Sequence, residues 1–178
     1  MSLDVQTNSP QTARDDGKPF SVPAALEAEL NELLTHYPEK RSASLMYLHA
    51  IQEHFGYISP AAMEWTAQKL GLRPINIYEL VTFYPMFRQA PAGKYSIKIC
   101  RTLSCALGGS HELRDYVCRK LGLDAAEHGL QTTRDGKFSV EFVECLASCG
   151  TAPVVMVNED FYEGVSTQRA DEIIAKCP

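Results

Sequence analysis

Apolar positions recur with a helical period from residue 22 to about 90. Leu26, Leu30, Leu33 and Leu34 fall at i, i+4, i+7 and i+8, which is one face of a helix. Between residues 43 and 55, Leu45, Met46, Leu48, Ile51 and Phe55 point in almost every direction, the pattern of a central helix buried on most sides. Ser59-Pro60 supplies an N-cap followed by proline at the first helical position, and Gly71 the matching stop. A fourth helix starts near Pro74 and gathers Ile77, Leu80, Val81 and Tyr84 on one face. It must end by Pro85, which lacks the N–H a helix needs. These four short helices predict a small bundle over residues 22–90. Residues 1–21 are polar, with no apolar period, and are expected to form a disordered or partner-ordered tail.

After Pro91-Ala92-Gly93 the period changes to two. Tyr95, Ile97 and Ile99 alternate with Ser96, Lys98 and Cys100, a strand that ends in a cysteine. Ser110 is placed to cap a helix over about 110–121, with Leu113, Val117 and Leu121 inward and Gly122 as its stop. Arg134-Asp135-Gly136-Lys137 reads as a hairpin turn, because Asp-Gly supplies positive φ angles. The following strand sets Phe138, Val140 and Phe142 on one side and also runs to a cysteine, Cys145. Val154–Val157 and Phe161–Tyr162 flank an Asn158-Glu159-Asp160 turn, and a last helix from about Ser166 turns Ile173 and Ile174 inward. The order β-α-β(β)-β-β-α over 91–178 predicts an α/β sandwich of the thioredoxin type. The fold class expected is therefore α+β, or α/β in its second half: a small N-terminal helical bundle followed by this sandwich. There is no internal repeat.

Composition narrows the function. The 178 residues carry 17 Lys+Arg against 22 Asp+Glu, a net charge of −5, and this acidic balance argues against a nucleic-acid partner, which would need a basic face. The apolar share of 45% and the charged share of 22% are those of a globular protein with a proper core. No apolar run approaches the ~18 residues that span a bilayer, and the N-terminus has no hydrophobic signal core. A cytoplasmic protein with no direct membrane insertion is expected, and in that reducing compartment cysteines serve as metal ligands or redox groups more than as disulfides.

Four of the six cysteines form two pairs, Cys100-x4-Cys105 and Cys145-x3-Cys149, each opening the loop at the carboxyl end of a predicted strand. If the two strands run parallel, as the intervening helix favours, both loops leave the same end of the sheet, where ligands of open α/β folds collect. Thiolates gathered there repel one another unless a cation or cluster joins them. Zinc knuckles and dithiol oxidoreductases prefer Cys-x2-Cys, a Rieske centre needs two histidines, and the plant-type ferredoxin spacing would need a cysteine at position 108. A [2Fe–2S] cluster on all four cysteines fits these spacings best, with zinc or free redox thiols as the alternatives. Gly108-Gly109 would leave backbone N–H groups free to approach sulfur, and the helix after Ser110 would point its positive end at the loop.

Other residues are read as structural. Cys118 lies beside the inward helix face as a small buried filler, and Cys177 in a frayed C-terminus. His49 and His54 are read as packed histidines, His111 as surface capping, and Arg101 as a solvated side chain. Val81–Phe87 is read as mostly core, with an exposed docking patch as its alternative. No G-x-G-x-x-G, P-loop, H-E-x-x-H or G-x-S-x-G occurs, which leaves no nucleotide site or hydrolase to argue. A one-electron site with no flavin or substrate site of its own must exchange its electron with another protein.

Five segments together carry a family resemblance: Tyr37-Pro-Glu-Lys-Arg-Ser, His54-Phe-Gly-Tyr-Ile-Ser-Pro, Val81-Thr-Phe-Tyr-Pro-Met-Phe, Cys100-Arg-Thr-Leu-Ser-Cys and Glu144-Cys-Leu-Ala-Ser-Cys-Gly-Thr-Ala-Pro. From about residue 22 to the C-terminus the chain resembles the 24-kDa (E) subunits of bacterial NADH:quinone oxidoreductase, respiratory complex I. The resemblance implies a helical domain followed by a thioredoxin-like [2Fe–2S] ferredoxin domain, with the cluster ligated by Cys100, Cys105, Cys145 and Cys149. It also implies a larger flavoprotein partner that binds NADH, FMN and a [4Fe–4S] cluster. The single cluster here would exchange electrons one at a time with that FMN, to one side of the main chain of clusters leading to quinone. Further subunits of the complex's peripheral arm would be neighbours, and the location would be peripheral to the inner face of the cell membrane. The diaphorase subunits of NAD-reducing hydrogenases and NAD-dependent formate dehydrogenases share these motifs. A free-standing ferredoxin or a zinc-stabilised interaction module are the readings of another class.

Overall fold

A computed structural model describes residues 20–178, which divide between Pro91 and Ala92 into two compact units. The tail expected over 1–21 lies outside the described residues except for its last two. One of these, Phe20, is anchored, its ring 5.1 Å from that of Phe55 and 6.2 Å from the indole of Trp65.

The first unit holds α1 (Ala24–Leu34), α2 (Ser44–Phe55), α3 (Pro60–Leu70) and α4 (Pro74–Phe83), with a short 3-10 turn, Lys40–Ala43, leading into α2. The α3 boundaries follow from the predicted signals: Ser59 Oγ accepts the Ala62 N–H at 3.1 Å, and Gly71 closes the helix at φ +68. Leu26, Leu30, Leu48, Ile51, Ile77 and Val81 are buried together. The all-round burial expected of α2 is not found, because Met46 is exposed while Tyr47 takes the inward position. His49 and His54 are exposed rather than packed in the core, each beside one aromatic ring, Phe87 and Phe55. Val81 and Phe87 are core as expected, but Phe83 and Met86 between them turn outward.

The second unit is built on a five-stranded sheet. Its strands are β1 (Tyr95–Cys100), β2 (Gln131–Thr132), β3 (Phe138–Val143), β4 (Val155–Val157) and β5 (Asp160–Tyr162), in the order β2-β3-β1-β4-β5. Only β1 and β3 run parallel, and their register is level from Tyr95↔Phe138 to Cys100↔Val143. Between them the chain forms α5 (Leu103–Leu107) and α6 (Ser110–Lys120), and α7 (Thr167–Ala175) follows the sheet. Ile97, Ile99, Val140, Val155 and Val157 of the sheet share one core with Leu113 and Val117 of α6 and Ala170 and Ile173 of α7. Three details depart from the sequence expectations. Gly109, at φ +91, stands at the N-cap of α6, so Ser110 is the first helical residue and caps nothing through its side chain. β3 ends at Val143, two residues short of Cys145. Cys177 is not frayed: it is buried in this core and donates its S–H to the Ile173 carbonyl at 3.4 Å.

A polar triad ties α6 to α7. Lys120 Nζ lies 2.6 Å from Asp171, and the Tyr116 hydroxyl donates to both Asp171 carboxylate oxygens at 2.8 and 2.9 Å. Lys120 first, then Tyr116, hold the Asp171 carboxyl below the usual aspartate range. A depressed carboxyl pKa gives stability that is present above the unfolded-state value and is lost as pH falls through the folded one. Melts between pH 7 and pH 3 are therefore expected to lose a component on the acid side that Asp171→Asn has already lost at neutral pH. Equal acid slopes in the two proteins would contradict this.

Candidate metal centre

The level ending of β1 and β3 places both cysteine loops at one end of the sheet. Cys100 is the last residue of β1 and hydrogen-bonds from its N–H to the Val154 carbonyl at 3.1 Å, while Arg101 N–H reaches the Val143 carbonyl at 3.0 Å. Cys105 lies in the middle of α5. Cys100 and Cys105 are 1% and 2% exposed and share a small apolar nest with Val154, against which Leu146 and Ala152 pack. Cys145 and Cys149 are exposed. The four thiols thus form a buried pair and an exposed pair. Among the described residues no three His, Cys, Asp or Glu side chains form a group placed to hold one metal ion.

Sulfur is met by donors the sequence did not reveal. Gly108 and Gly109 spend their N–H groups on the Ser104 and Ala106 carbonyls, at 2.9 and 3.1 Å, so they are not the free donors expected of them. Instead the Ala147 N–H donates to Cys145 Sγ at 3.3 Å, from a backbone at φ 61. A left-handed alanine stores strain of about 1 kcal/mol, so the loop is held in this turn by its surroundings. The Thr102 hydroxyl lies 3.3 Å from Cys100 Sγ. Burial pushes the Cys100 thiol up, but the Thr102 hydroxyl, the Leu146 and Thr102 N–H groups and the Cys105 thiol outweigh it and leave the pKa below the usual cysteine value. Cys105 is raised by burial, by its bond to Cys100 and by the charges of Cys100 and Cys149, against a lowering bond from the Val154 N–H.

Packing and charge hold the two loops together. A Cβ on Gly108 would lie 3.1 Å from Ala152 Cβ and 3.3 Å from the Ala152 carbonyl carbon and the Ser104 oxygen, so the glycine lets α5 sit against the second loop. Gly108→Ala is expected to destabilise the chain by about 1–2 kcal/mol through this overpacking. Ala152→Gly in the same chain should recover part of the loss. Urea melts of the four proteins in that double-mutant cycle measure the coupling, and strictly additive changes would contradict the contact. Arg101, read as solvated, is half-exposed but paired: its Nε and Nη2 reach Glu144 Oε1 at 3.0 and 2.5 Å, joining the residue after Cys100 to the residue before Cys145.

Sequence reading also missed Arg114, a fully buried arginine on α6. Its guanidinium donates to the Ala125 carbonyl at 2.8 Å and to the Glu127 carbonyl, and lies 5.3 Å from the ring centre of Phe142, three residues before Cys145. The signal was present, since Ser110, Leu113, Arg114, Val117 and Cys118 occupy i, i+3, i+4, i+7 and i+8 of one buried face. Leu103 and Leu107 flank Cys105 on α5 and are 75% and 82% exposed, an apolar rim beside the cysteines. Cys118 is buried as expected, outside the nest.

Comparison with known proteins shows the family. The family model for the thioredoxin-like [2Fe-2S] ferredoxin matches residues 30–178. The chain is 38% identical over 158 residues to the E subunit of NADH-quinone oxidoreductase from Aquifex aeolicus, covering 88% of this chain and 96% of that one. It is 35% identical over 163 residues to the protein of the same name from Mycobacterium tuberculosis, covering 89% of this chain. It spans 63% of the length of that mycobacterial relative. The fold is similar to a chain of the crystal structure of NAD+-reducing [NiFe]-hydrogenase in the air-oxidized state, with a TM-score of 0.59 and 22% identity, covering 74% of this chain and 22% of that one. Among the described residues no helix is long and apolar enough to cross a membrane.

Proposed function

Since the chain belongs to the thioredoxin-like [2Fe-2S] ferredoxin family, we propose that it is the electron-transfer subunit of an NADH:quinone oxidoreductase, with one [2Fe–2S] cluster held by Cys100, Cys105, Cys145 and Cys149. The observation that carries the reading is that the level ends of two parallel strands lead into both cysteine loops, with hydrogen-bonding groups on the sulfurs of Cys100 and Cys145. The residues present fit the group. A soft, all-thiolate donor set in two pairs suits a two-iron cluster, and the buried pair sits in an apolar nest with Val154.

Bound there, the cluster supplies reversible one-electron chemistry at a potential set by its surroundings. Cys100 and Cys105 would hold it from the buried side, where low polarity strengthens every donor facing sulfur. The Thr102 hydroxyl and the N–H groups of Thr102, Leu146, Ala147 and Val154 offset the negative charge of the thiolates. Cys145 and Cys149 would hold it from the exposed side, leaving a short path to a partner. That partner is the NADH- and FMN-binding flavoprotein subunit, whose FMN would exchange single electrons with the cluster. Further peripheral-arm subunits would bring the chain to the inner face of the cell membrane without inserting it. Relatives that are 35–38% identical along most of this chain carry the quinone-oxidoreductase name, whereas the likeness to the hydrogenase is one of fold. This favours the respiratory complex over a hydrogenase or formate dehydrogenase diaphorase.

The test is reduction in trans. NADH alone should leave the loaded chain oxidised, and NADH with the flavoprotein subunit of the quinone oxidoreductase from the same source should reduce it. Reduction by NADH without any flavoprotein, or none with it, would overturn the assignment.

A further inference from the structure

We propose that Glu163 is a positioning residue of the centre, a carboxylate that fixes the Cys145–Cys149 loop from outside and lays an uncompensated negative charge beside it. The inference rests on the reading that this loop holds the cluster. Glu163 follows β5, far from the cysteines in sequence, yet its Oε1 accepts from Thr151 Oγ1 at 2.7 Å and from Ser148 Oγ. Those two hydroxyls are 2.8 Å apart and stand on either side of Cys149. The main chain continues the clasp: Gly164 N–H donates to the Thr151 carbonyl at 2.7 Å and Val165 N–H to the Pro153 carbonyl at 3.0 Å. Residues 163–165 therefore form a strap over 148–153, and Glu163 is its side-chain end.

A single hydrogen bond between exposed groups contributes little. Two hydroxyls converging on one carboxylate oxygen, backed by two main-chain bonds, constrain the loop far more. Ser148 and then Thr151 hold the Glu163 carboxyl below the usual glutamate range, which agrees with this geometry. The charge also differs from that of Glu144. Glu144 is paired with Arg101, while Glu163 has hydroxyl partners and, among the described residues, forms no ion pair. A negative charge that no cation offsets opposes the arrival of an electron at a nearby acceptor.

The test compares the full-length wild-type chain with Glu163→Gln and Glu163→Ala. Amide hydrogen exchange at residues 148–151 is followed on the metal-free chains, and the midpoint potential on the loaded ones by EPR-monitored titration. Glu163→Gln keeps an oxygen that can accept both hydroxyls, so its exchange should match wild type. Glu163→Ala should exchange at least tenfold faster there. Both variants should be reduced more easily, a tenfold gain in the reduction equilibrium being about 59 mV for one electron. Wild-type exchange and midpoint in both variants would overturn the proposal. Faster exchange in Glu163→Ala with an unmoved midpoint would also overturn it, leaving Glu163 a loop brace alone. A wild-type chain that takes up no iron and sulfide overturns the underlying reading, and is distinguished because the exchange experiment needs no metal.

Discussion

Serine in place of any one of Cys100, Cys105, Cys145 or Cys149 is expected to abolish or visibly alter the two-iron signal, while Cys118→Ser leaves it intact. Cluster ligands bind as thiolates, and an alcohol gives up its proton far less readily, so a serine leaves one iron short of a ligand or weakly held. The buried and exposed pairs should differ in their second effect. Cys100→Ser and Cys105→Ser exchange a buried thiol for a shorter, more strongly hydrated hydroxyl in the nest lined by Val154 and Leu146, so those metal-free chains should melt lower than wild type. Cys145→Ser and Cys149→Ser change exposed side chains, so the metal-free chains should melt like wild type. Cys118→Ser should show the mirror image, a lower melting temperature with a normal signal, because Cys118 is fully buried in the other core. A full, unaltered signal from the Cys145→Ser protein would contradict the ligand set.

The second large effect is expected from Gly93→Ala, just before β1. A Cβ there would lie 2.6 Å from the Phe138 carbonyl carbon and 2.9 Å from its oxygen, main-chain atoms that no rotamer change can move aside. Phe138 opens β3 opposite Tyr95, and the Gly93 N–H donates to Ser139 Oγ of the same strand. The methyl would therefore wedge apart the two parallel strands that present the cysteines, costing about 3 kcal/mol by analogy with overpacked cores. Gly129→Ala is the control, since nothing lies within 4 Å of its added Cβ. Urea unfolding should show a markedly lower midpoint for Gly93→Ala and little change for Gly129→Ala. Equal midpoints would contradict the close approach.

Much of this arrangement was legible in the sequence because it rests on periodicity and on turn chemistry. The Ser59-Pro60 start, the Gly71 stop and the Asp135-Gly136 turn are local signals, and the structure follows them. The alternation of β1 is followed only in part, because Ser96 and Cys100 are buried along with Ile97 and Ile99. The cysteine spacing was equally local, and the parallel pairing of β1 with β3 follows from the helical crossover between them. What escaped depends on long-range contact. α5 has five residues, too few to display a period, so Cys100-x4-Cys105 read as a plain loop. Gly108 and Gly109 looked like free donors, but whether an N–H is spent depends on the turn it enters, and α5 spends both. Arg114 sat on the correct face of α6, yet its charge argued for solvent until the carbonyls of Ala125 and Glu127 supplied partners. Cys177 looked frayed because its position next to the C-terminus says nothing of the core it closes. Glu163 carries no motif, and only the fold brings it to Ser148 and Thr151.

The most direct test of the central claim is low-temperature EPR on anaerobically purified protein before and after dithionite, with iron and sulfide assayed on the same sample. A silent oxidised state is expected, with a rhombic [2Fe–2S] signal on reduction and about two irons and two sulfides per chain. Zinc in place of iron, with no sulfide and no signal in either state, would make the four cysteines a structural clip and contradict electron transfer by this chain.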